Sequence, residues 1–181
     1  IKIMTGVHTP DEGSIRLGGQ SVRITSPADA MAAGIACVYQ ELNIVRELSL
    51  TDNMFINKMI TGRFGLLDYS AMNAKATEVM KSLGQDVDVT KPAFTYGMGV
   101  LQMVEIGKAL LQDVRLIIMD EPTSSLGESE VEELFKTVRT LREAGVAILF
   151  ISHKLDELFQ LCDRVTVIRD GQHVLTADIG E

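Results

Sequence analysis

Residues 116 to 122 read Leu-Ile-Ile-Met-Asp-Glu-Pro, an apolar run without polar alternation that stops at two adjacent carboxylates and is then broken by proline. A strand with one solvated face alternates, so an unbroken run needs a covering layer on both faces and predicts a central parallel strand. Such strands end at the sheet edge where ligands bind, which puts Asp120 and Glu121 at that edge. Paired acids there can hold a divalent cation and orient a water; a strand that simply opens into a polar turn is the alternative.

The final third alternates in period. It predicts strand 116–119, helix 128–144 with Gly145 as stop, strand 146–152, helix 155–162 and strand 164–168. That βαβαβ order predicts an α/β fold with a parallel sheet, and Asp170-Gly171 turns the chain into a closing hairpin over 172–176. Upstream, short alternating stretches at 14–17 and 21–24 flank Gly18-Gly19 and predict an antiparallel edge. Ser26, Pro27 and Gly34 frame a short helix, and strand 35–39 runs into Gln40. Residues 50–83 are helical in pattern, most clearly 71–83 closed by Gly84, and 100–111 carries an apolar helical face. A helical lobe of about residues 50–112, inserted into the sheet domain, is expected. The amphipathic start Ile1-Lys2-Ile3-Met4 stops at Gly6, so the beginning of the domain is expected to lie upstream.

Composition narrows the function classes. With 181 residues, 46% hydrophobic and 23% charged, the chain has the content of one soluble domain. Seventeen basic against twenty-five acidic residues give a net charge of −8, which argues against nucleic acid or anionic lipid as the main partner. Apolar runs such as Val146 to Ile151 fall far short of the roughly 20 residues that cross a bilayer as a helix, and no secretory signal pattern is present. Cys37 and Cys162 are too few for a disulfide framework and read as buried thiols in a reducing compartment.

Five short segments recur in a telling order: Gln40 at a strand end, a Gly-rich turn before a helix at 96–102, Asp120-Glu121-Pro122, Ser124-Ser125-Leu126-Gly127, and Ile151-Ser152-His153. Together they resemble an ATP-binding cassette, the motor domain of ABC transporters. The resemblance implies a P-loop NTPase-like parallel sheet with an antiparallel edge and an inserted helical lobe. In that reading Asp120 resembles the Walker B aspartate and, with Gln40 of the Q-loop, holds Mg²⁺. Glu121 resembles the catalytic glutamate and His153 the H-loop histidine aimed at the γ-phosphate of ATP. Gly97, Gly99 and Ser125 are further nucleotide contacts in the same reading. For His153 the plainer alternative is a loop histidine beside a helix that Ser152 caps. His8 and His173 lie outside any such context.

The segments Val38-Tyr39-Gln40-Glu41-Leu42-Asn43, Gln102-Met103-Val104-Glu105-Ile106 and Ile151-Ser152-His153-Lys154-Leu155-Asp156-Glu157 look like the first cassette of double-cassette monosaccharide importers. That resemblance implies a transport-coupled ATPase, peripheral on the cytoplasmic face of the membrane. Its partners would be transmembrane permease subunits, a second cassette and, indirectly, a periplasmic sugar-binding protein. Three features depart from the family pattern. The phosphate-cradling Gly-x-x-x-x-Gly-Lys-Ser/Thr is absent, and the family places it just before a segment like residues 1–6, so the chain is expected to be cut after it, to bind ATP weakly or not at all, and to be inactive by itself. The signature position reads Tyr96-Gly97-Met98-Gly99-Val100, without the family's serine and glutamine. Gly127 stands where the D-loop usually carries a polar residue. These departures keep open a second reading, a structural or weakly catalytic cassette of an asymmetric pair. A third, a cassette acting on the ribosome or DNA, is disfavoured by the charge.

Overall fold

The computed structural model describes residues 1–180. The apolar run forms β4 (Leu116–Asp120), the middle strand of a three-stranded parallel sheet ordered β3-β4-β5, with β3 at Ile35–Val38 and β5 at Ala147–Ile151. Its lack of alternation has a direct structural cause. Ile118 packs with Ile24, Ala30 and Ile35 in one apolar cluster, while Ile117 and Met119 join the larger cluster on the opposite face, and all three β4 side chains are fully buried. Burial of each such side chain is worth about 1.5–3 kcal/mol.

The antiparallel signal at Gly18-Gly19 is a two-residue hairpin joining β1 (Ile15–Leu17) to β2 (Gln20–Val22), with both glycines at positive φ. This ribbon is a sheet of its own rather than an edge hydrogen-bonded to the parallel one. Helix α1 (Pro27–Ala32) starts at Ser26, whose Oγ accepts from the Asp29 N–H at 3.2 Å. Gly34 then lets the chain enter β3 at φ +81, where an added Cβ would lie 2.8 Å from the Asp113 carbonyl oxygen.

Three expectations need correction. Residues 1–6 form hydrogen-bonded turns rather than a helix, and Gly6 ends them, at φ +74 with the Ser26 backbone packed where a Cβ would sit. The helical pattern across 50–83 is interrupted. Helix α2 (Leu50–Phe55) is followed by an irregular stretch with a tight turn at Arg63–Gly65, and α3 (Tyr69–Ser82) restarts on Asp68, whose Oδ1 accepts from the Ala71 N–H at 2.9 Å. Phe64 and Gly65, both at positive φ, form that turn. Third, the last strand of the βαβαβ pattern, β6 (Arg164–Arg169), does not extend the parallel sheet. It pairs antiparallel with β7 (Gln172–Asp178) across an Asp170-Gly171 turn with both residues at positive φ. Most of β6 is exposed, and its partner β7 follows directly across the two-residue turn.

Helix α4 (Met98–Leu110) lies against β3 and α5 (Glu128–Glu143), and α6 (Leu155–Leu161) packs on α5. Leu50, Met72, Met80, Met103 and Ile106 share one apolar cluster with Met119 and Leu134, so the helices between β3 and β4 have a common core with the sheet. No helix among the described residues is long and apolar enough to cross a membrane.

Candidate active site

Parallel strands in register present their ends together. Val38 stands beside Met119 and Met119 beside Phe150, so Tyr39-Gln40, Asp120-Glu121 and Ser152-His153 leave the sheet at one carboxyl edge. Glu121 adds a further rung, its N–H donating to the Ile151 carbonyl at 2.9 Å, and then turns sharply at φ +47. A left-handed conformation at a glutamate is uncommon and costs on the order of 1–3 kcal/mol, which the rung, Pro122 and the turn bond from the Ser124 N–H to the Glu121 carbonyl help to offset. The kink brings Glu121 Oε1 to 3.3 Å from His153 Nδ1. Glu121 is 31% exposed and His153 68%, so the pair is open to an incoming ligand. The contact becomes an ion pair when the imidazole is protonated.

Asp120 is half-buried between β3 and β5. Burial pushes the neighbouring Cys37 thiol up to about 11, with a hydrogen bond to Tyr39 opposing and the Asp120 charge adding to the rise. Cys37 is therefore an inert thiol, and Cys162 is also a free thiol pushed up by burial and then by Asp163. Gln40 is exposed at the end of β3. The segment after it is held by two residues that sequence reading did not single out. Buried Asn53 of α2 accepts from the Val45 N–H at 2.8 Å and donates to the Val45 and Ser49 carbonyls, while Lys108 of α4 donates to the Asn43 carbonyl at 3.1 Å.

The glycines of the signature position lie elsewhere. Gly97 is the cap residue of α4 and leaves the approach open, with nothing within 4 Å of where a Cβ would sit. Gly99 is occupied. Its N–H donates to Glu130 Oε1 at 3.0 Å, and the other oxygen of Glu130 accepts from the Gly127 N–H at 2.9 Å, so one carboxylate caps both α4 and α5. The Gly-x-x-Glu spacing at 127–130 was the sequence signal for that cap. Neither glycine contacts the Glu121–His153 pair through a hydrogen bond among the described residues, and Ser125 is exposed in the turn before α5.

A second network beneath the pair also escaped sequence reading. Glu157, 7% exposed, accepts at one oxygen from Thr123 Oγ1 at 2.9 Å and Ser152 Oγ at 2.7 Å, and its other oxygen lies 3.0 Å from Lys154 Nζ. Ser152 also accepts from the Lys154 N–H, so it serves the start of α6 from outside the cap position, which Lys154 holds. Burial pushes the Glu157 carboxyl up, but the hydrogen bonds from Ser152, Lys154 and Thr123 and the Lys154 charge outweigh it and hold the group below its usual range.

Comparison with known proteins bears on the family and the fold. The chain is 43% identical over 178 residues to the arabinose import ATP-binding protein AraG of Vibrio parahaemolyticus and 45% identical over 179 residues to the ribose import ATP-binding protein RbsA of Rhodococcus jostii. These alignments take in 98% and 99% of the chain but 35% and 36% of the relatives, so the chain spans about a third of their length. A nucleotide-free ATP-binding cassette from an ABC transporter superposes with a TM-score of 0.84 at 22% identity over 98% of this chain and 74% of that one. CbiO1 of Clostridium perfringens superposes at 0.79 and 21% identity, over 98% and 70%. Residues 1–124 match the ABC transporter family, and with these relatives and this fold the chain belongs to it.

Proposed function

We propose that this chain is the ATP-binding and ATP-hydrolysing part of an importer that drives a monosaccharide across the cytoplasmic membrane. The observation that carries the reading is the contact of Glu121 with His153 at 3.3 Å on the sheet edge that also bears Asp120 and Gln40. Relatives named for arabinose and ribose import support a pentose as the cargo.

Among the described residues no cluster of three His, Cys, Asp or Glu side chains forms a metal cage. One half-buried carboxylate and a nearby amide suit Mg²⁺, which takes one or two protein oxygens and completes its shell from phosphates and water. Asp120 and Gln40 would hold it. When bound, Mg²⁺ neutralises charge on the transferred phosphoryl group. Glu121 orients the attacking water and accepts its proton, and His153 donates a hydrogen bond toward the γ-phosphate. The open backbone at Gly97, at the start of α4, faces an anion with the positive end of the helix dipole, and Ser125 contributes from the turn before α5. Gly99 joins them only when its N–H is released by Glu130.

In this reading residues 50–112 form the helical lobe, and the protein sits on the inner membrane face against permease subunits, paired with a second cassette and fed by a periplasmic sugar-binding protein. Relatives named as import ATP-binding proteins support docking on membrane subunits. A purely structural cassette has no chemical need for Glu121 and His153 in contact, so the catalytic reading is favoured.

The test is Glu121→Gln in the full-length protein. ATP binding should persist and turnover should fall by about 100-fold or more. Unchanged turnover would remove Glu121 from its assigned role.

A further inference from the structure

We infer that Glu157 is a positioning residue that sets the spacing of Glu121 and His153 by tying the two loops that carry them to one carboxylate oxygen. This rests on the proposed function and adds a residue to its machinery. Thr123 lies two residues after Glu121, and Ser152 immediately precedes His153; their hydroxyls donate to the same Glu157 oxygen at 2.9 and 2.7 Å. The Glu121 loop leaves β4 and the His153 loop leaves β5, and past the ladder only the rung from the Glu121 N–H to the Ile151 carbonyl joins their backbones. Glu157 adds a second tie beyond that rung. It comes from the first turn of α6 and is buried, and Lys154 meets its other oxygen at 3.0 Å, so the acceptor is held on three sides. A charged acceptor makes each hydroxyl bond shorter and stronger than a neutral one. The contact it protects, between two partly exposed side chains, would not hold itself in water. Slack of about 1 Å between a catalytic group and its neighbour is enough to cost on the order of 100-fold in rate.

The experiment compares the full-length protein with Glu157→Ala, Glu157→Gln and Thr123→Val, measuring kcat and KM for MgATP together with backbone hydrogen exchange. Glu157→Ala should lower kcat by about 100-fold with KM for ATP within about twofold, because the lost element is alignment and not binding. Glu157→Gln keeps a carbonyl oxygen that accepts both hydroxyls and should restore kcat to within about tenfold of wild type; because Gln restores the packing as well, Thr123→Val is the variant that separates the tie from the shape. Thr123→Val preserves shape, removes one tie and should fall between them, which keeps the inference testable if Glu157→Ala does not fold. Exchange at residues 121–126 and 152–154 should speed up by about tenfold while β4 stays protected. Wild-type kcat in Glu157→Ala or Thr123→Val would overturn the inference and leave Glu157 a stabilising residue only. If the wild-type protein hydrolyses no ATP, the proposed function falls, and the exchange comparison alone decides whether Glu157 couples the two loops; no change in exchange overturns it.

Discussion

Glu121 and Glu157 are both carboxylates near the same sheet edge, and their surroundings give them different work. Glu121 is partly exposed on a left-handed turn and meets His153 alone, whereas Glu157 is buried and accepts from three side chains. Burial acting on Glu157 is outweighed by Ser152, Lys154, Thr123 and the Lys154 charge, so its carboxyl titrates below the ordinary 4.5 when folded. A group depressed in this way contributes its stabilisation fully above its unfolded value and loses it as pH falls through the folded one. Between about pH 6 and pH 3 the melting temperature of the wild-type chain should therefore drop more steeply than that of Glu157→Gln, with the divergence beginning below about 4.5. Parallel curves across that range would show that Glu157 carries no charge-dependent stability. Of these two, only Glu121 was read from the sequence as a candidate site residue; Glu157 entered as the end of a family-like segment with no role of its own, since its partners lie 5 and 34 residues away.

Elements meet here through caps as much as through apolar faces. Glu130 closes the first turn of α5 and, with its other oxygen, the first turn of α4, and Gly99 is the residue that makes room for it. A Cβ at Gly99 would stand 2.7 Å from Glu130 Oε1, so the carboxylate must withdraw. Gly99→Ala gains intrinsic helix propensity of up to about 1 kcal/mol, yet loses a charge-assisted cap worth about 1–2 kcal/mol. The expected outcome is a chain of equal or slightly lower stability in urea, with faster amide exchange in the first turns of both α4 and α5. Exchange confined to α4 would mean that Glu130 does not couple the helices. Most element boundaries were legible from the chain because their signals are local: Ser26 before α1, Gly84 after α3, Gly145 after α5 and Gly18-Gly19 in the first hairpin. The break between α2 and α3 was not, because apolar residues at 56–67 continue a helical rhythm although α2 ends at Phe55.

At the scale of the whole molecule, β4 divides two apolar clusters and belongs to both. Ile118 is the β4 residue that anchors the smaller one, against Ile24, Ala30 and Ile35. Ile118→Ala should cost about 2–5 kcal/mol, measured as a lower urea midpoint with the slope retained. A cost below about 1 kcal/mol would mean that α1 and β2 collapse into the cavity and are less firmly held than their packing suggests.

The unbroken run at 116–119 by itself determined a strand covered on both faces, and the acids that follow it pointed to the carboxyl edge as the candidate site, because neither statement needs a partner to be named. The order of strands and helices determined an α/β architecture for the same reason. What only tertiary structure decided depends on residues distant in sequence. It brought His153 to Glu121, committed Gly99 to Glu130, and gathered Thr123 and Ser152 onto Glu157. Each of those outcomes weighs a local preference against a contact made across the fold, and local pattern carries no record of the second term.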